Sequence, residues 1–306
     1  MSRHLSRRAR RSVLAAWAAG LAAALAAAPV PIAAAAAGAS TSAAAAAGPA
    51  TVPAWTHDPA RTDGPAHWAS LTPDWAACGG EGDQSPVALG NGRRAALPEL
   101  RADYPRVPLV VENTGHVVEV PQPDGAQGTL RFGGTTYRLV QWHVHVPSEH
   151  VLNGHRYAME IHLVHRDSNG ATAVLAVLAD VARPGGYPLG GTAGLLRRTA
   201  RAAPAAAGTE TDTGTTASAA DLLPTGTGRP TDGAVVTRYL TYGGSLTTPP
   251  CTTGVRWIVL PTPVLVGAGT VERLHAVVAG FPGYDGYPDN NRPLQPLGSR
   301  EVLRRG

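Results

Sequence analysis

The sequence predicts a mostly β fold that follows an N-terminal leader, with a length that allows one large domain or two. Two observations carry this: short segments that alternate or are rich in β-branched residues recur along the chain, and turn signals containing glycine separate several of them. Helical patterning, by contrast, is confined to two short stretches.

In chain order, Leu109 to Val120 holds two short strands about the turn Asn113-Thr114-Gly115. Thr129 to Val140 alternates, with Gly133-Gly134 as its hairpin turn, and runs directly into the strand Gln141 to Val146. A further strand, Tyr157 to Val164, is reached across a loop containing Asn153-Gly154. Ala173 to Val181 is a continuous apolar run suited to a buried strand. Gly194 to Ala203 predicts a short helix. After it the chain, from about 203 to 220, is rich in Ala, Thr and Gly, which predicts a structureless surface insert. Strand pattern returns at Val235 to Tyr242, and Gly243-Gly244-Ser245-Leu246 predicts a turn into Thr247-Thr248-Pro249-Pro250. Val255 to Leu260 is another buried strand, and Thr270 to Val278 is the second helix, with Thr270 as its N-cap.

The beginning of the chain is of another kind. Arginines at positions 3, 7, 8, 10 and 11 precede an Ala/Leu-rich run from Val13 to about Ala28, the pattern of an export signal over residues 1–38. Arg10-Arg11-Ser12-Val13-Leu14 resembles a twin-arginine signal, and ordinary secretion is equally open. The run is broken by Pro29 and Pro31, which makes it a marginal membrane span, and no stable span is expected once the signal is removed. Residues 39–53 read as a disordered linker, and the domain is expected over 54–306. Without the five leader arginines, 21 of the 26 basic residues face 22 acids, so the basic balance belongs to the leader. No basic stripe marks the mature region, and no nucleic-acid partner is expected. The two cysteines, Cys78 and Cys251, suggest one disulfide in an exported chain, the other reading being two buried thiols. A bridge would restrict the unfolded chain by roughly 4 kcal/mol in the entropic account.

Six of the eleven histidines lie between Gln141 and His165. On a strand, residues two apart point the same way, so Gln141, His143 and His145 share one face and Glu160, His162 and Val164 share another. If the two strands pair with these faces together, His143, His145 and His162 converge. Three imidazoles with a fourth position open is the arrangement of a catalytic zinc. Gln141 and Glu160 are placed to accept the other N–H of a ligating histidine. His165 has the opposite parity and should face away, His150 should hydrogen-bond in the core, and His155 should lie at the surface.

Gln141-x-His-x-His145, Ser148-Glu-His150, Glu160-x-His-x-Val-His165 and Ser245-Leu-Thr-Thr-Pro-Pro250 together resemble the alpha-class carbonic anhydrases. Asn290-Asn-Arg-Pro-Leu-Gln-Pro-Leu297 matches the family's closing motif, and the resemblance runs from about His67 to about Arg300. Covering nearly all of the chain after the leader, it implies a single domain built on one large, twisted, mostly antiparallel sheet of about ten strands with a few short peripheral helices. It implies Zn2+ on the three histidines and hydration of carbon dioxide to bicarbonate and a proton. It assigns His116, in Asn113-x-Gly-His116, as proton shuttle, and Glu149 and Thr247 as a relay that orients the attacking hydroxide. Val164, Val174, Leu246 and Trp257 would wall the carbon dioxide pocket, with Val177 as the other register for Val174, and Thr248 would sit by the bicarbonate product. The family's N-terminal tyrosine is missing, since the chain has Trp55-Thr-His57 there. A carbonic-anhydrase-like binding module without activity and a zinc esterase are the competing functions; monomer and dimer are both open.

Overall fold

The computed structural model describes residues 52–183, 191–224 and 234–306. The expected export signal, and all of the expected linker but its last two residues, lie outside the described residues.

The chain enters through a short helix, α1 (Trp68–Leu71), a 3-10 turn over Pro73–Gly79 and two short strands, β1 (Ala88–Leu89) and β2 (Arg93–Arg94). The sheet then grows through β3 (Leu100–Asp103), β4 (Val107–Asn113), β5 (Val118–Pro121), β6 (Thr129–Phe132) and β7 (Thr135–His145). A small hairpin, β8 (Val151–Leu152) and β9 (His155–Arg156), precedes β10 (Met159–Arg166) and β11 (Thr172–Val181). After helix α2 (Gly191–Ala202) come β12 (Thr209–Ala217), β13 (Ala234–Val236), β14 (Tyr239–Ser245), β15 (Thr253–Val266), helix α3 (Ala268–Ala279) and β16 (Leu303–Arg305).

Among the described residues, thirteen strands form one sheet whose main order is β12-β4-β5-β7-β10-β11-β15-β14-β16-β2. Most neighbours are antiparallel, but β11/β15 and β16/β2 run parallel, so the sheet is mixed. The parallel pair explains the texture of its strands: Ala173 to Ala179 are all buried, as expected where both faces are covered. The predicted turns carry the backbone their residues favour, with φ of +58° and +84° at Gly133 and Gly134 and +52° and +80° at Asn153 and Gly154.

Parity sorts the side chains into two layers. Ile161, Leu163, Leu175, Val177, Trp142 and Val144 join the larger core, against Leu195 and Leu196 of α2 and Leu274 and Val278 of α3. Val174, Ala176, Leu178, Tyr242, Trp257 and Val259 face the other way, on the side that carries Val164. Val174 is thus the residue on the Val164 and Trp257 side, and Val177 is not. A third cluster of Trp55, Trp68 and Trp75 surrounds the Cys78–Cys251 disulfide, which spans 173 residues of sequence.

Three expectations are corrected. The insert is not structureless: Thr209–Ala217 pairs antiparallel with β4, with the register shifting between Asp212 and Thr216. β4 would otherwise leave its edge amides unpaired, and β-branched threonines suit that edge without giving any apolar alternation to read. Gly243 and Gly244 do not turn but lie within β14, because a Cβ on Gly244 would meet Ser85 Oγ at 2.2 Å and Trp257 at 3.0 Å. The N-cap of α3 is Gly267, and Thr270 is buried in the first turn.

Candidate metal centre

β7 and β10 pair antiparallel with His162 opposite His143 and Glu160 opposite His145. The three rings therefore meet on one face, with centroids 5.0 Å apart for His143–His145, 5.2 Å for His143–His162 and 4.7 Å for His145–His162. One nitrogen from each lies within 4.8 Å of the others, a geometry that can hold a metal ion.

The partners of these rings decide which nitrogens those are. His143 Nδ1 donates to Gln141 Oε1 at 2.9 Å, His145 Nδ1 to the Asn290 carbonyl at 2.7 Å, and His162 Nε2 to Glu160 Oε1 at 2.9 Å. Each of these partners is an acceptor and so holds the ring proton on its side. The lone pairs left are Nε2 of His143, Nε2 of His145 and Nδ1 of His162. His145 Nε2 is buried with no partner, the mark of an atom waiting for a ligand. Burial lowers the pKa of all three, His145 to about 4, and so keeps the imidazoles neutral as a metal requires.

Glu149, fully buried, receives the Arg292 amide on Oε1 at 2.8 Å. Its Oε2 has no hydrogen-bond partner and lies 3.6 Å from His145 Nε2 and 3.9 Å from His162 Nδ1. Burial raises its pKa to about 6, against the pull of His162, Arg292 and the Thr247 side chain. Thr247 is thus a neighbour of the carboxylate although no bond of ordinary geometry joins them. Glu160 behaves oppositely. Burial pushes its pKa up, but His150 and His162 pull harder and hold it well below the usual carboxylate range.

On the same face, Val164 lies opposite Val174, and Val174 opposite Trp257, so the three form one row across β10, β11 and β15. Leu246 packs against this row. Thr248 is half-buried in the loop before Cys251. His116 is stacked face to face on Trp55, with ring centroids 3.7 Å apart and planes at 11°. Burial lowers its pKa to about 4, so in this pose it is not the near-neutral base expected of an ordinary histidine. His165 faces the larger core and meets Tyr104 Oη at 2.8 Å, and His155 is exposed beside Asp180.

Several supporting residues escaped the sequence reading. Asn290 holds His145 through its carbonyl and donates to the carbonyls of His116 and Val144. Arg292, buried, ties the Glu149 segment to Gln84, Ser85 and Cys78. His150 hydrogen-bonds in the core as expected, bridging Glu160 and Tyr242 at 2.7 and 2.6 Å, but Tyr242, whose Oη donates on to Ser85, was not foreseen. His57 packs near His145, with Nδ1 on Tyr284 Oη and Nε2 buried without a partner. Asn290 and Arg292 belong to a motif legible in the sequence, but nothing local says that its backbone anchors a histidine far upstream.

A mostly β sheet carrying three convergent, acceptor-held imidazoles beside a buried carboxylate and an apolar row makes a site of the enzyme class, one that can hold a metal ion. The profile of eukaryotic-type carbonic anhydrases matches residues 63–306. A carbonic anhydrase of Neisseria gonorrhoeae is 35% identical over 241 residues, 79% of this chain and 84% of that one. The alpha-carbonic anhydrase of Thermovibrio ammonificans, solved with the inhibitor sulfanilamide, has a TM-score of 0.69 and 33% identity, over 82% of this chain and 98% of that one. That of Photobacterium profundum has a TM-score of 0.67 at 31% identity, over 82% and 100%. The chain belongs to the eukaryotic-type carbonic anhydrase family and is an enzyme of carbon dioxide hydration.

Proposed function

We propose that His143, His145 and His162 hold Zn2+ with one position open, and that this centre converts carbon dioxide and water to bicarbonate and a proton. The observation that carries the reading is the set of three free imidazole nitrogens, each made a lone pair by an acceptor on the opposite ring atom. When bound, zinc supplies a Lewis acid that makes hydroxide available near neutral pH, a property already established for carbonic anhydrases.

The residues around it position the reactants. Glu149, fixed on one oxygen by the Arg292 amide, offers Oε2 as an acceptor to Thr247, whose hydroxyl in turn accepts from the attacking hydroxide. Val164, Val174, Leu246 and Trp257 offer carbon dioxide an apolar wall, while Thr248 stands at the edge where bicarbonate leaves. Gln141 and Glu160 hold their histidines in one tautomer and orientation. His116 takes the proton outward once it leaves its stack on Trp55. Residues 1–38 serve as an export signal, which places the reaction outside the cytoplasm; no described helix is long and apolar enough to cross a membrane.

The test is metal analysis beside stopped-flow carbon dioxide hydration, with ester cleavage measured in parallel before and after chelation. One zinc per chain and hydration abolished by chelation are expected; a metal-free chain that hydrates at the same rate would end the reading. Glu149→Gln reverses one oxygen from acceptor to donor while keeping its shape. It should retain zinc and lower hydration by about 10- to 100-fold, an effect of orientation alone.

The stack on Trp55 gives His116 a separate test. In Trp55→Ala the ring gains solvent, so its pKa should rise from about 4 toward the ordinary 6.5. NMR titration of the ring reads this directly, and hydration in weak buffer should rise with it. A pKa that stays near 4 would show that Trp55 is not what desolvates His116.

A further inference from the structure

Arginines gather where the sheet ends, from segments far apart in sequence, so no run of basic residues announces them. Arg93 and Arg94 lie on β2, Arg304 and Arg305 on β16, and Arg238 in the bend between β13 and β14. β16 pairs with β2 so that Arg304 stands opposite Arg94, and with β14 so that Arg305 stands opposite Tyr239. Like charges directly opposite on neighbouring strands destabilise a sheet unless something neutralises them.

Two carboxylates reach the group. Glu301 takes Arg93 in a two-pronged pair at 2.8 and 3.0 Å. Glu99 lies 3.5 Å from Arg305 but is shared with Arg101 at 3.7 Å. Among the described residues, the side chains of Arg94, Arg238 and Arg304 form no hydrogen bond or ion pair. Some of the idle nitrogens are also hidden from water: Arg304 Nε and Arg305 Nη1 are buried without a partner. A buried donor on a charged group with nothing to donate to is rare and costly, so this edge carries more positive charge than its own acceptors satisfy.

There is room for one. A groove of about 690 Å³ is lined by Arg94, Thr237, Arg238 and Arg305. A second, of about 270 Å³, shares Arg238 and Arg305 with it and adds Arg304, Asn153 and Tyr157. No residue of the metal centre lines either.

We propose that this double groove is a binding site for a multiply charged phosphate-type oxyanion. Guanidinium groups meet phosphate oxygens as planar forks with two parallel bonds, which suits the unpaired Arg94, Arg238 and Arg304 side chains that line the grooves. Arg94, Arg238 and Arg304 hold no carboxylate side chain, and with Gly306 also lining both grooves, linked phosphates, which bring several charges, match the group better than a single carboxylate or bicarbonate. The larger groove, at about 690 Å³, has room for a chain of phosphates and not only for one ion.

The probe is tripolyphosphate titrated into the full chain by calorimetry, with sedimentation of phosphatidylcholine vesicles, with and without phosphatidylglycerol, as the second arm. Arg94→Gln/Arg238→Gln/Arg304→Gln should weaken tripolyphosphate binding by at least about tenfold, as expected on losing charge-assisted bonds. The control, Arg197→Gln/Arg201→Gln/Arg273→Gln, removes the same charge from a separate groove of about 230 Å³ with no buried idle nitrogen and should bind as the parent does. Arg94→Glu, on an exposed edge residue, should weaken binding without disturbing the half-buried positions. Zinc content and hydration should be unchanged in all these variants, so this site can fail without touching the metal centre. Sedimentation only with phosphatidylglycerol assigns the phosphate to a lipid surface; tripolyphosphate binding without sedimentation assigns it to a soluble phosphate. No tripolyphosphate binding at millimolar concentration, or an equal loss in the control, overturns the proposal.

Discussion

Alanine at His143, His145 or His162 is expected to remove zinc and hydration together. Each ring supplies one of three lone pairs, and the strand pairing holds them in place, so losing one ring leaves two imidazoles where the centre is built on three. The loss should exceed the ~10- to 100-fold weakening typical of removing an outer partner of a metal ligand, and Gln141→Leu, which frees the His143 ring without removing it, should show that smaller effect. His145→Ala adds a penalty of its own, because it opens a cavity beside the Glu149 carboxylate, whose Oε2 lies 3.6 Å from the lost nitrogen. Metal content by mass spectrometry of the native protein and hydration by stopped flow read both effects. Full zinc occupancy in all three alanine variants would falsify the ligand assignment.

These geometries show what a sequence makes legible. Face-sharing on a strand is a period-two property, so the convergence of Gln141, His143 and His145 with Glu160 and His162 is readable from residue spacing alone. Only the pairing of β7 with β10 had to be supplied, and a loop with Asn153-Gly154 between two alternating runs points to it. The strand Thr209–Ala217 was illegible for the converse reason: its side chains are mostly exposed on both faces, so it has no apolar alternation and owes its conformation to the open edge of β4. Gly244 of β14 misled because it marks a close approach to Ser85 and Trp257, a tertiary fact that looks locally like a turn. His116 was placed by its motif, yet its stacking partner Trp55 comes from a segment about sixty residues upstream, and the burial that lowers its pKa to about 4 is a tertiary fact. The same holds for Asn290 and Arg292, whose roles depend on which loop they close against.

The buried histidines should also make the protein acid-labile, and His165 allows the effect to be measured away from the metal centre. It lies in the larger core with Nε2 on Tyr104 Oη, and burial lowers its pKa from 6.5 to about 4. Between those values the unfolded chain takes up a proton at this residue that the folded chain refuses. Stability is therefore complete above pH 6.5 and falls as the pH drops toward 4, by roughly 3 kcal/mol for this one residue. That is a large share of the ~5–15 kcal/mol that holds a typical domain folded. His57, His116, His143, His145 and His162 shift in the same direction. Glu149 and Glu119, raised to about 6 and about 7, work against them, since folding favours their protonated forms as the pH falls. His165→Gln keeps a hydrogen-bonding group near Tyr104 but cannot titrate. Whatever its stability at pH 7.5, urea unfolding from pH 7 to pH 4 should show a shallower decline than the parent, by up to about 1.4 kcal/mol per pH unit for one proton no longer excluded. Parallel curves for variant and parent would mean that His165 is protonated as readily folded as unfolded, and that its burial against Tyr104 does not exclude charge.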